Sequence, residues 1–199
     1  MAEISKVLFW LANSLLIPDI IILIILFIRS LMLLGSFYNQ FTIRLKNKKN
    51  IDSLLWRIEA EGIHVLRENI PEKSNSAYIK YLKKLLDREP DDAYSEFVLS
   101  NFENEADKDL STSRLLAKLG PVLGLIGTLI AMSPALVGLS TGDISGMAYN
   151  MQVVFATTVV GLIISVVGLV TLQFKKRWYL QETGNLEYVA QVLTKNQRS

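Results

Sequence analysis

The sequence contains no cysteine and a single histidine, His64. Without cysteine there is no disulfide framework and no thiolate metal site. His64 stands among helical neighbours with no second ligand in view, so it reads as a surface or packed histidine. No metal site and no cofactor are expected. The formal net charge of +2 is too small to form the electrostatic footprint of a nucleic-acid binder. Carboxylates are confined to polar stretches, and no nucleophile, base and orienting group fall together. An enzyme is therefore not expected. A disordered chain is excluded because 50% of the residues are apolar.

Those apolar residues are bunched, with the charges between the bunches, as in a small membrane protein with a polar middle. The first long run is 20–41, roughly 33 Å of helix and enough for one bilayer crossing. Pro18 and Asp19 precede it, a proline in a first turn and an acid that suits the helix dipole near the outer boundary. Residues 1–19, with Trp10 and an apolar stretch from Val7 to Ile17, read as an interfacial segment ending at that proline. A cleaved signal peptide fits poorly, because the apolar run is too long and no A-x-A-like site follows. The second run is Leu119 to Leu139 and the third is Ile144 to Phe174, within a hairpin of 118–175. Only Ser140 to Asp143 separates them, and Asp143 is placed to cap the third helix.

Basic residues follow the first span (Arg44, Lys46, Lys48, Lys49), precede the second (Arg114, Lys118) and follow the third (Lys175, Lys176, Arg177). The hairpin loop has none. The positive-inside rule puts the N-terminus outside and the middle and C-terminus in the cytoplasm of a multi-pass cell-membrane protein. The middle, 42–117, is expected to be helical from its apolar spacing, broken at Pro71 and Pro90. Asp91 and Asp92 open a helix predicted to run on into the second span. The tail, 176–199, keeps an apolar rhythm and continues the third helix. The acidic stretch from Asp87 to Asp109 reads as a solvated helix face, with a partner surface as the alternative. The fold class expected is thus an all-α membrane protein of three transmembrane helices with long cytoplasmic helical extensions.

Within the hairpin, Gly120, Gly124, Gly127, Ala131, Ala135 and Gly138 recur every three or four residues and leave one helix side nearly bare. Thr158, Gly161, Ser165 and Gly168 do the same on the third helix, with Thr157 beside them. In a bilayer, bare stripes let helices approach closely. Two such faces exceed the needs of one hairpin and suggest helices packed side by side in an oligomer. Thr128 and Thr158, each able to return its hydroxyl to its own backbone, together offer a weakly polar lining. Neither the second nor the third span contains Asp, Glu, Lys, Arg or His; Arg29, in the first, is the only ionisable residue deep in a span. An ion pathway normally needs an ionisable group at membrane depth, so conduction would require a carboxylate from another chain.

These segments resemble the MotA/TolQ/ExbB proton-channel family. Its second-span pattern P-x-x-G-L-x-G-T is met by Pro121, Gly124, Leu125, Gly127 and Thr128. Its third-span pattern A-x-T-x-x-G-L is met by Ala156, Thr158, Gly161 and Leu162. Three spans resemble the ExbB and TolQ form more than the four-span flagellar stator, and the hairpin resembles archaeal members. The resemblance implies a pentameric ring around two copies of a single-span ExbD/TolR/MotB-like partner, whose membrane aspartate carries a proton or sodium. It implies that Thr128 and Thr158, with Thr157 and Ser165 nearby, line the path, and that ion flow drives mechanical work. The glutamate that many ExbB-like members carry five residues before the third-span threonine is replaced here by Val153, beside Gln152. The alternative function is a non-conducting scaffold that organises partner proteins.

Overall fold

The computed structural model describes residues 2–70, 76–87 and 91–197. Five helices follow in order: α1 (Ala2–Glu61), α2 (His64–Asn69), α3 (Ala77–Leu86), α4 (Asp92–Thr141) and α5 (Ile144–Gln197). The described residues contain no strand. Helices α1, α4 and α5 are each long and apolar enough to cross a membrane. The chain is an all-α, multi-pass membrane protein. The breaks expected at Pro71 and Pro90 lie outside the described residues.

Local chemistry accounts for the helix ends. The backbone N–H of Ala93 donates to Asp91 Oδ1 at 3.3 Å and that of Ser95 to the Asp91 carbonyl at 2.8 Å, so Asp91 starts α4. From there α4 is continuous, as its apolar rhythm predicts. At the hairpin turn Gly142 adopts φ +77°, a conformation that suits a residue without Cβ. Asp143 Oδ1 then accepts the Gly146 N–H at 2.9 Å and caps α5. At the other end of α1, Gly62 takes φ +89° and returns its N–H to the Ile58 carbonyl.

One boundary differs from expectation. The sequence places a break at Pro18, yet α1 passes through it unbroken, and its candidate membrane crossing is Val7–Leu45. Proline removes one backbone hydrogen bond without forbidding the helical φ, and membrane helices tolerate it where neighbouring helices pack against them. Pro121 and Pro134 sit inside α4 in the same way.

The chain divides into two compact units. The first comprises 1–36 and 112–172, that is, the early part of α1 and the α4–α5 hairpin. Its core is Leu23, Leu26, Leu33, Leu116 and Ile164, with Phe27, Leu123 and Val160 packed against it. Outward it presents large apolar side chains, among them Leu125, Leu129, Phe155, Leu162 and Val166, the surface a bilayer or another membrane helix would cover.

The second unit comprises 37–111 and 173–199. Here α3 is amphipathic and buries Ile79, Leu82, Leu85 and Leu86, while Phe102, Leu186 and Val189 are fully enclosed. The Tyr81 hydroxyl donates to Glu105 at 2.8 Å; burial first, and then that carboxylate, hold its phenol above the ordinary tyrosine range. Phe37, Phe41, Phe174 and Trp178 form an aromatic cluster, with Phe37 and Trp178 stacked at 5.3 Å. Arg44 lies over Trp178 and pairs with Glu182 at 2.6 Å. Lys175, only 1% exposed, meets Asp109 at 2.9 Å, and the Tyr179 hydroxyl donates to the same carboxylate oxygen.

Two outcomes are expected from this packing. Asp109→Ala strands the buried Lys175 ammonium and should destabilise the protein by about 3–5 kcal/mol, whereas an apolar pair at both positions should be close to neutral. Equilibrium unfolding in detergent micelles measures both. Gly161→Val forces bulk between α4 and α5 and should cost about 1–3 kcal/mol in the same assay, where an exposed change such as Val166→Leu should cost little.

Candidate functional site

The α4–α5 contact is built from residues without bulk. A methyl group at Gly124 would stand 3.2 Å from the Thr157 carbonyl oxygen and 3.4 Å from the Gly161 Cα. At Gly120 it would stand 2.8 Å from the Ser165 nitrogen, and at Gly161 2.9 Å from the Gly124 Cα. Gly168 faces Ala117 and Leu116 in the same manner, and Gly138 faces Asp143 and Met147. Ala131 is fully buried and Ala135 nearly so. The two bare stripes are therefore spent on each other inside one chain. That corrects the inference that they exceed one hairpin's needs: they fix the hairpin, and they carry no information about neighbouring copies.

The four candidate hydroxyl residues divide into different roles. Ser165 is buried and donates across the hairpin to the Ala117 carbonyl at 3.1 Å, a tie between α4 and α5. Thr157 is buried and donates to the Val153 and Val154 carbonyls of its own helix, both at 3.1 Å. Thr128 and Thr158 are half-buried, bonded to the carbonyls of Leu125 at 2.7 Å and Val154 at 3.0 Å. Each hydroxyl keeps its oxygen lone pairs free to accept a hydrogen bond or meet a cation.

Helical geometry decides where the half-buried pair points. Gly127 and Thr157 face one another; a Cβ on Gly127 would lie 2.9 Å from the Thr157 Cβ. Thr128 and Thr158 each follow by one residue, a turn of about 100°. Because α4 and α5 run antiparallel, those equal turns carry both threonines to the same side of the hairpin. Leu123 and Val160, which pack with α1, lie toward the other side. The two motif threonines thus share the hairpin side that α1 leaves uncovered.

Sequence reasoning missed one residue. The sequence reads Asp19 as a dipole-friendly first-turn acid near the outer boundary. Instead α1 continues past Pro18, and the carboxylate is enclosed, 5% exposed, between the three helices. A Cβ on Gly127 would meet Asp19 Oδ2 at 2.8 Å, which puts the carboxylate at the level of Gly127 and Thr157. Gly127 lies fourteen residues before the end of α4 and Thr157 thirteen after the start of α5, so that level is on the order of 20 Å along each helix from the turn. Neither Asp19 oxygen has a hydrogen-bond partner. The available signal was the near-continuous apolar character of the chain on both sides of Pro18 and Asp19, which extends the span toward Val7. Arg29, the next charged residue along α1, is exposed.

Comparison with known proteins agrees with this layout. The sequence profile of the MotA/TolQ/ExbB proton channel family matches residues 68–188, more than half of the chain. No curated protein and no solved structure matches it. The match takes in the whole hairpin, its glycine contacts and both motif threonines, and the chain belongs to the MotA/TolQ/ExbB proton channel family.

Proposed function

We propose that this chain is the ring subunit of an ion-gradient-driven membrane motor, working with a single-span partner of the ExbD/TolR/MotB type. The observation that carries this is the hairpin side on which Thr128 and Thr158 stand together, free of any ionisable side chain and uncovered by α1. A pore wall for a titrating partner needs such a surface: apolar enough to exclude bulk water, with hydroxyls that accept from a protonated carboxyl and, on turning from the backbone carbonyl, donate to an ionised one. The second and third spans supply no carboxylate of their own on that side, which fits a partner that brings one.

The ring is a homo-oligomer, a pentamer by family precedent, with two copies of the partner inside. Subunits meet through the bulky outward faces of the first unit, since the small-residue stripes are used within each chain. The N-terminus faces outside, and residues 42–117 and 176–199 lie in the cytoplasm, following the basic residues. The cytoplasmic regions 42–117 and 176–199 and the hairpin 118–175 keep the bounds read from the sequence, whereas the division into 1–19 and 20–41 gives way to a first span that extends back through Pro18 toward Val7. The ion is a proton or sodium, and the output is mechanical work.

The test is ion flux in liposomes holding this chain and a one-span partner with a membrane aspartate. Thr158→Val removes a hydroxyl from the uncovered side and is expected to lower flux about 5- to 30-fold, as the loss of one membrane hydrogen bond of ~1–2 kcal/mol would, with particle mass unchanged. Thr128→Val is expected to act in the same direction. Undiminished flux in both variants would leave the hydroxyls without a role in conduction. Assembly without any flux in the parent complex would point to a scaffold.

A further inference from the structure

The three-helix interior of the first unit contains a carboxylate that the proposed pore wall does not use. Asp19 is enclosed by its own chain, so neighbouring copies can only deepen its burial. Both of its oxygens lack a partner among the described residues. An ionised carboxylate in that setting is costly by several kcal/mol unless something neutralises it. The surroundings offer no counter-charge. Between Leu119 and Gly142, α4 has no ionisable residue; between Ile144 and Phe174, α5 has only Tyr149, exposed and two turns from Thr157. On α1 the nearest charged side chain is Arg29, ten residues further on and exposed, about 15 Å along the helix.

We propose that Asp19 is an exchangeable proton-binding site belonging to this chain itself, seated at membrane depth against Gly127 and Thr157. The choice of proton over a metal cation follows from the atoms around it. A hard cation wants a shell of about six oxygens. What stands around the carboxylate here is the bare edge of Gly127 and the side chain of Thr157, which has a single hydroxyl oxygen to offer and falls far short of such a shell. Gly127 has a second duty in this arrangement, since any side chain there would occupy the space of Asp19 Oδ2. The proton is taken up and released as such: the carboxylate gains a hydrogen on one oxygen and gives it back, with no other bond made or broken. Thr157 stands between Asp19 and its neighbour Thr158, so the site lies directly behind the proposed conducting side. Its link to transport rests on the proposed channel function; its existence does not.

The experiment uses the full chain alone in lipid vesicles. Dicyclohexylcarbodiimide adds to protonated carboxyl groups in apolar surroundings, and peptide mass mapping locates the adduct. Labelling at Asp19 is expected, falling about tenfold for each pH unit above its apparent pKa, and unaffected by sodium at constant pH. Infrared spectra are expected to show a protonated-carboxyl band that titrates, disappears in Asp19→Asn and persists, shifted, in Asp19→Glu. Protection by sodium would overturn the proton assignment. Absence of both the adduct and the titrating band would overturn the site. Because the partner is left out, these outcomes are independent of whether the reconstituted complex conducts. Within a conducting complex, Asp19→Asn is expected to lower flux at least tenfold, and unchanged flux there would remove its part in transport.

Discussion

The first unit depends on how closely α4 and α5 approach. Backbone lies against backbone at Gly120 and Gly161, where even one methyl group would intrude, and at Gly124, where it would fit only tightly. In hydrocarbon there is no hydrophobic drive to hold two helices together, so dispersion over a close, complementary contact must do so. The Ser165 bond to the Ala117 carbonyl and the buried Thr171–Ser113 pair add polar ties along the same seam. This seam sets the rotation of both helices, and the rotation in turn fixes which side chains look into the hairpin and which look away. Thr128 and Thr158 stand together because Gly127 and Thr157 meet.

Much of this is legible in the chain. Three apolar runs of bilayer length, the glycine spacing, the Asp91 and Asp143 caps and the uninterrupted run of α4 follow from local patterns that tertiary context does not override. The family pattern adds the identity of the two threonines. Two features are not legible. Stripes of small residues announce a close contact without saying which helix fills it, and here the partner is the other half of the same hairpin. A proline next to an acid also reads by default as a helix start, since both residues favour that position. Only the packing of α1 against α4 and α5 reveals that the helix continues and carries the acid inward.

Charge is distributed with the same economy in both units. In the second, charged groups drawn in from solvent meet partners: Lys175 with Asp109 and Tyr179, Arg44 with Glu182. In the first, the hairpin helices carry none across their apolar lengths, and α1 brings in Asp19 without a partner. A group that answers no structural need is a natural place to look for a functional one.

Pro18 adds to this last feature. Its ring nitrogen has no hydrogen to donate, so the carbonyl of Ser14, one turn earlier, is left without its intrahelical bond. The interruption falls one residue before the acid. The Ser14 carbonyl is thus a spare acceptor little more than one helical turn from Asp19, in a stretch of α1 whose other backbone groups are spent on one another.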